Sequence, residues 1–340
     1  MKILLLGNDN GWNLEYSYMS ALKDLGHEVS QFDINTSLKK YIKFGRFGNI
    51  LSNFIPIDPW IKKANRDFVV HFRKHNPDIL FVFCNVKVSY GALAYIKSIS
   101  NTKIVLIWPD TLTNIQQDII NNYRLFDMVA CYSQTSVKSF ELLGFKNVRW
   151  VPLAGDSVMF GGDFNIEQDL YCDISFIGGC RPEREAAMLE IVENFPDKKI
   201  KIFSVDWKTH GKHKELLKYL DKRLFYGRDF AKVLKSSKVN INIIDDTNYP
   251  AANMRFFEIP MAGALQVASH CPEMESIFKH RESILYHHNH TEMIDNIQFA
   301  LGNTEEAEKI ITNAFRLVNE KHTYIKRAEQ IINEIGLIRE

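Results

Sequence analysis

Short apolar runs alternate with longer amphipathic stretches along the first half of the chain. Ile3–Leu6, His27–Phe32, Ile79–Phe83, Ile104–Trp108, Met128–Tyr132 and Val148–Val151 read as strands. Residues 14–25, 60–75, 89–98, 114–122 and 134–143, whose apolar positions recur with a helical period, lie between them. Strands that are apolar on both faces and separated by helices belong in a parallel sheet covered on both sides. A second series follows, with strands expected at Asp173–Ile177, Ile200–Phe203, Leu224–Tyr226, Val239–Ile243, Leu265–Ala268 and Ser283–Tyr286. From 291 to 338 the pattern is helical throughout, with Ile310, Ala314 and Val318 on one face and Ala328, Ile331 and Ile335 on another. Residues 35–58 break the rhythm and read as a long loop of the kind that borders a binding cleft. Pro152–Tyr171 lacks periodicity and reads as a linker. The pattern predicts two doubly wound α/β domains in series, with ligands expected at the carboxyl ends of their strands in a cleft between them.

Composition narrows the class without naming a chemistry. The 340 residues include 42 basic and 41 acidic side chains, and 46% of them are hydrophobic. A formal net charge of +1 gives no footprint for nucleic acid and no polybasic membrane surface, although a local peripheral membrane contact stays open. No apolar run approaches the roughly 18 residues that span a bilayer. The start, MKILLLGNDNG, has too short an apolar core for a signal peptide and reads as a first strand. Cys84, Cys131, Cys172, Cys180 and Cys271 contain no C-x-x-C pair, so reduced thiols and a cytoplasmic location are expected.

Three segments carry candidate chemistry. Gly7-Asn8-Asp9-Asn10-Gly11 joins the first strand to a helix, where glycines admit a close ligand and the helix start favours an anion. Its spacing is not that of a dinucleotide fingerprint, which disfavours NAD, and a capped turn would explain it equally. Gly178-Gly179-Cys180-Arg181-Pro182-Glu183-Arg184 places two glycines and two arginines at a strand-to-helix turn, a composition suited to a diphosphate. Asn253 to Gly263 sets one carboxylate, Glu258, in an apolar segment three residues after Arg255. A buried carboxylate needs a partner: either the diol of a ribose or, in the blander reading, Arg255 itself.

These segments together resemble the group 1 glycosyltransferases of the GT-B fold, most closely the CgeB-like (spore maturation protein) branch. Arg255-Phe256-Phe257-Glu258-Ile259-Pro260-Met261-Ala262-Gly263 is similar to the family's R-x-F-E-x-x-A-x-G segment. Phe176-Ile177-Gly178-Gly179 resembles its F-I/V-G-S turn, Gly227–Asp245 its G-x-L-x-x-S-K-V-x-L-N-I stretch, and His322-Thr323-Tyr324 to Arg327 its H-T-Y-x-x-R. The agreement covers about 172–335. It implies two Rossmann-like domains facing across a cleft, with residues 1–158 holding an acceptor, 159–318 a nucleotide-sugar donor, and helix 319–340 returning to the N-terminal domain. Glu258 would bind the donor ribose and Gly178–Arg184 would face the diphosphate, with Asn253 and Gly263 completing the donor side.

One departure stands out. The wider family places a second Glu eight residues before Glu258, and this chain has Pro250 there. Recognition of the donor sugar must therefore rest on backbone groups or Asn253. Asp110, after Trp108-Pro109, and Asp9 are the candidates for a base that takes the proton of an acceptor hydroxyl. A cap on the following turn is the alternative for Asp110. His287, His288 and His290 lack a second ligand cluster, so no metal or other cofactor is expected. Phe44, Phe47, Phe54 and Trp60 read as packing residues. The implied activity is metal-independent transfer of a sugar from a UDP-, GDP- or dTDP-linked donor to a hydroxyl of a glycan, lipid-linked or protein acceptor. A non-catalytic nucleotide-sugar-binding or scaffold protein, or a nucleotide-sugar epimerase, is the alternative.

Overall fold

A computed structural model describes residues 1–43, 45 and 58–337. The expected α/β architecture is present as two compact units, Met1–Pro152 together with the C-terminal stretch from Tyr324, and Leu153–Thr323. The first unit holds strands β1 (Lys2–Leu6), β2 (Glu28–Phe32), β3 (Ile79–Phe83), β4 (Lys103–Trp108), β5 (Met128–Cys131) and β6 (Val148–Trp150). They form one parallel sheet in the order β2-β1-β3-β4-β5-β6. Helices α1 (Leu14–Asp24), α2 (Ile34–Lys39), α3 (Asp58–His75), α4 (Tyr90–Ile99), α5 (Gln117–Asn121) and α6 (Gln134–Leu142) connect the strands. Leu4, Leu6, Leu80, Val82, Leu106 and Trp108 are fully buried against Phe68, Phe72 and Phe140. Ile3, Leu5, Phe81 and Val105, at the alternate positions, are equally buried on the other face, which is why β1, β3 and β4 read as unbroken apolar runs.

The second unit repeats the plan with β7 (Cys172–Ile177), β8 (Ile200–Phe203), β9 (Leu220–Asp221), β10 (Ser237–Asn242), β11 (Gln266–Ser269) and β12 (Leu285–His287). Their order, β12-β11-β10-β7-β8-β9, reverses direction between β7 and β10. Helices α7 (Pro182–Asn194), α8 (Trp207–His210), α9 (Gly227–Lys235), α10 (Arg255–Met261), α11 (His290–Gly302) and α12 (Thr304–Lys321) complete the unit. The last helix, α13 (Tyr324–Leu337), belongs to the first unit. There the Arg327 side chain donates to the Pro152 carbonyl at 2.7 Å, Gln330 to the Trp150 carbonyl at 3.0 Å, and Arg149 pairs with Glu334 at 2.8 Å.

Several sequence expectations need correction. Leu224–Tyr226 is not a strand: the edge strand β9 lies earlier, pairing Leu220 with Ile202, and Leu224 is exposed. The helical tail is three helices, interrupted at Asn303 and at His322–Thr323. Residues 114–122 hold only the five-residue α5, preceded by a 3₁₀ turn at Leu112–Asn114. The units divide at Pro152 and Thr323, not at 158 and 318. Pro152–Tyr171 is a packed segment and not a loose linker, since Met159, Phe160, Phe164 and Leu170 are buried. Within it the Gly155 N–H donates to the His322 carbonyl at 2.9 Å, and a Cβ there would sit 2.8 Å from Met261 and 2.9 Å from Val318. Trp60 packs on the first core, while Phe44, Phe47 and Phe54 lie outside the described residues, as does most of 35–58.

Candidate functional site

An open parallel sheet binds ligands where its strand order reverses, outside the carboxyl ends of the strands. In the second unit that point lies between β7 and β10, and the Gly178–Gly179 turn leaves β7 there. Three side chains set the turn, two of them brought in from the segment after β8. Asp206, after β8, accepts the Cys180 N–H at 3.1 Å and the Ser204 hydroxyl at 2.6 Å. A Cβ on Gly179 would lie 2.9 Å from the Asp206 carboxylate, so the glycine is required by that close approach. Trp207 donates its indole N–H to the Gly178 carbonyl at 2.9 Å. Arg184, from the first turn of α7, donates to the Gly179 carbonyl at 3.1 Å and pairs with Asp245 beyond β10 at 2.9 Å.

Arg184 therefore ties the two sides of the reversal together, its charge already matched by Asp245. Burial opposes the ionised form of Asp245, but hydrogen bonds from Thr247 and Asn248 and the Arg184 guanidinium outweigh it and hold its pKa below the usual carboxylate value. Burial also lowers the Arg184 pKa, against the pull of Asp245. Arg181, exposed at the start of α7, is the arginine of this turn that faces solvent. It is the better placed of the two to meet a diphosphate.

A cavity of about 280 Å³ opens beside the turn, at the carboxyl ends of β7, β8 and β9. Gly178 and Gly179 form one wall, Ser204, Val205 and Asp206 another, and Arg223, Leu224, Phe225 and Phe230 a third. The apolar run 224–226 thus contributes to a cavity wall instead of a strand. Phe230 links this cavity to the Glu258 segment, because the Arg255 guanidinium stacks 4.5 Å from its ring centroid. Arg255 also donates to the Glu258 carboxylate one turn further along α10, which buries Glu258 to 5% exposure. Asn253, just before α10, donates to Asn242 at 2.8 Å, while its own Oδ1 is buried without a partner. The region around Arg255 thus brings Asn253, Glu258 and the cavity together. Gly263 is set apart: it ends α10 with φ +64° and lines a different cavity with Lys235. Sequence reasoning missed Asp206 and Trp207, which carry no local motif, and did not single out Phe230 within the Gly227–Asp245 stretch.

In the first unit the order reverses between β1 and β3. The Gly7–Gly11 loop after β1 is built around Glu15, which sequence reasoning also missed. Glu15 accepts the Asn8 N–H at 2.9 Å, and a Cβ on Gly7 would stand 2.6 Å from its side chain. Burial raises the Glu15 pKa against that hydrogen bond, with repulsion from Asp33 adding to the rise. The Asn8 carbonyl accepts from Asn13 and Gln31, and Asn10 closes the turn by accepting the Trp12 N–H. Asp9 and Gly11 are exposed at the loop tip. Asp110, after β4, accepts from the Thr111 N–H at 2.7 Å and from Asn114 at 2.8 Å, so it caps its own turn.

Residues 183–333 match a family model described as glycosyl transferase-like. No curated protein matches the chain. Among solved structures, sucrose-phosphate synthase from Thermosynechococcus elongatus superposes with a TM-score of 0.71 at 11% identity, over 98% of this chain and 97% of that one. A glycosyltransferase from Rickettsia africae gives 0.69 at 13% identity, over 99% and 98%. HepE of Anabaena, solved with UDP and glucose, gives 0.67 at 14% identity, over 99% of both chains. The fold is GT-B, with two Rossmann-like domains and a helical C-terminus. The matched span contains Arg184, Asp206, Arg255 and Glu258, while the Gly178–Gly179 turn precedes it.

The histidines after β12 divide by environment. Among the described residues no group of three or more His, Cys, Asp or Glu side chains is arranged to hold a metal ion. His288 and His290 are partly exposed and sit near Glu292 and Glu190. His287 is buried, and burial lowers its pKa to about 4, with His290 and His288 adding repulsion and Glu292 opposing. The unfolded chain takes up that proton near the ordinary value of about 6.5, so the native state binds fewer protons below it. Stability from His287 is complete above about pH 6.5 and is lost as the pH falls toward 4. The expected loss by pH 4.5 is about 2–3 kcal/mol. Thermal melts of wild type and His287→Leu between pH 7.5 and 4.5 check this: the variant should lose less stability in acid, and parallel curves would contradict the assignment.

Proposed function

We propose that the chain is a glycosyltransferase that moves a sugar from a nucleoside-diphosphate donor to a hydroxyl acceptor. The observation that carries this reading is the convergence in the second unit of the Gly178–Gly179 turn, the buried Glu258 with its partner Arg255, and the adjoining cavity. A ribose diol would donate to Glu258, the base would enter the cavity against Phe225 and Phe230, and the diphosphate would meet Arg181 at the start of α7. The bond between the sugar's anomeric carbon and the phosphate oxygen breaks, a bond to the acceptor oxygen forms, and the hydroxyl proton passes to a base. The charge leaving with the nucleoside diphosphate is then held by Arg181 and the helix start, without a metal.

The second unit is the proposed donor side and the first unit the acceptor side, in a cytoplasmic protein. The segment from Arg255 to Gly263 supports the CgeB-like branch in particular. UDP-linked sugars are the donors to try first, because HepE was solved with UDP and glucose. With both Asp110 oxygens engaged, Asp9 is the freer carboxylate for an inverting route; the anomeric configuration of the product would decide whether a base is used at all.

Calorimetric titration of the full chain with UDP, GDP and dTDP tests the reading. One nucleotide should bind saturably, and mass detection should then find slow hydrolysis of the matching nucleotide sugar. The absence of heat with all three would overturn the proposal and leave a scaffold role as the reading of the fold.

A further inference from the structure

The second unit has another cavity, of about 340 Å³, on the opposite half of the same sheet edge. It opens at the carboxyl ends of β10, β11 and β12, away from the cavity beside Gly178. Two of its lining groups have unused hydrogen-bonding capacity. His287 is 6% exposed, and its Nε2 is buried with no hydrogen-bond partner. An orphaned buried polar atom of this kind costs free energy unless a ligand or water meets it. Glu183, in the first turn of α7, is half-buried, and its carboxylate accepts no hydrogen bond from the described residues.

We infer that this cavity is a saccharide-binding subsite distinct from the nucleotide site. The chemistry of the lining selects the ligand class. Among the described residues the basic side chains lining the cavity are four histidines, His270, His287, His288 and His290, with no Lys or Arg, and Glu183 adds negative charge, so the cavity offers no permanently charged partner for a phosphate or carboxylate. A hydroxyl both donates and accepts, so it satisfies the His287 nitrogen in either tautomer, and a vicinal diol suits the Glu183 carboxylate. Ile243, Ile244 and the ring of Tyr249 give an apolar wall for the C–H face of a sugar ring. The volume falls within the range of small-molecule sites. The subsite holds a neutral sugar unit whether or not the nucleotide site is filled.

NMR titration of the full chain with D-glucose, D-galactose and N-acetyl-D-glucosamine, with and without saturating UDP, tests this. At least one sugar should bind saturably in the millimolar range, in both conditions. His287→Phe should weaken that binding at least tenfold while leaving UDP binding intact, which also reports that the variant is folded. Glu183→Ala, at a half-exposed position, should weaken it at least threefold and serves if His287→Phe does not fold. Absence of saturable binding by all three sugars, displacement by UDP, or unchanged affinity in both variants would overturn the inference. Tight binding of ZnCl2 with no sugar binding would likewise overturn it, in favour of a metal site. UDP binding without sugar binding would leave the proposed transferase standing, so the two failures are separable.

Discussion

Glu258→Ala should weaken nucleotide binding by about 1.5–3 kcal/mol, a loss of roughly ten- to a hundredfold in affinity. The size follows from the setting. Glu258 is nearly fully buried, its charged partner among the described residues is Arg255, and a ribose hydroxyl donating to it makes a charge-assisted hydrogen bond. The cost to folding should be smaller than the cost to binding. Removing one member of a buried ion pair is severe when the other charge stays buried, but the Arg255 side chain is 30% exposed and keeps its stacking on Phe230. Glu258→Gln retains one acceptor and the side-chain volume, and should fall between the two. Calorimetry with the best-binding nucleotide, alongside thermal melts, separates the effects. Wild-type affinity in Glu258→Ala would remove this carboxylate from the site and leave Arg255–Glu258 as a purely internal pair.

That pair also marks how far the site was legible in the sequence. Arg255 and Glu258 stand three apart on one helix, so their encounter is local and could be read from spacing. The Gly178–Gly179 turn was legible for the same reason, because a strand, two glycines and a proline-started helix are contiguous. Asp206 and Trp207 were not, since they reach the turn from 26 or more residues away, through the α7 crossover and β8. Glu15 escaped notice because a first-turn glutamate is ordinary on a helix; only the close approach to Gly7 reveals that the loop is shaped by it. The fold was more legible than the site. Buried parallel strands announce themselves as apolar runs, and β1, β3 and β4 differ from expectation by a residue or less. The misplaced edge strand shows the limit of that signal. Burial is what an apolar run reports, and Phe225 and Phe230 are used to wall a cavity.

The turn's dependence on distant residues yields the other large effect. Trp207→Ala should destabilise the second unit by about 3–5 kcal/mol, the range for emptying a large aromatic site in a core. The ring is 2% exposed and packs edge-on to Phe176 at 5.6 Å, directly beneath the Gly178 turn. The melting transition of that unit should fall by on the order of 10 °C. Stability alone would not tie Trp207 to the nucleotide site, so the informative variant is Trp207→Phe. It retains most of the packing but removes the indole N–H that donates to the Gly178 carbonyl, at a cost of about 1 kcal/mol. If that bond holds the turn in its binding conformation, Trp207→Phe should lose nucleotide affinity severalfold while melting close to wild type. Asp206, which grips the other side of the turn through the Cys180 N–H, should give the same split when replaced by Asn. A Trp207→Phe protein with wild-type affinity would mean that Asp206 and Arg184 suffice to hold the turn, and that Trp207 serves the core alone.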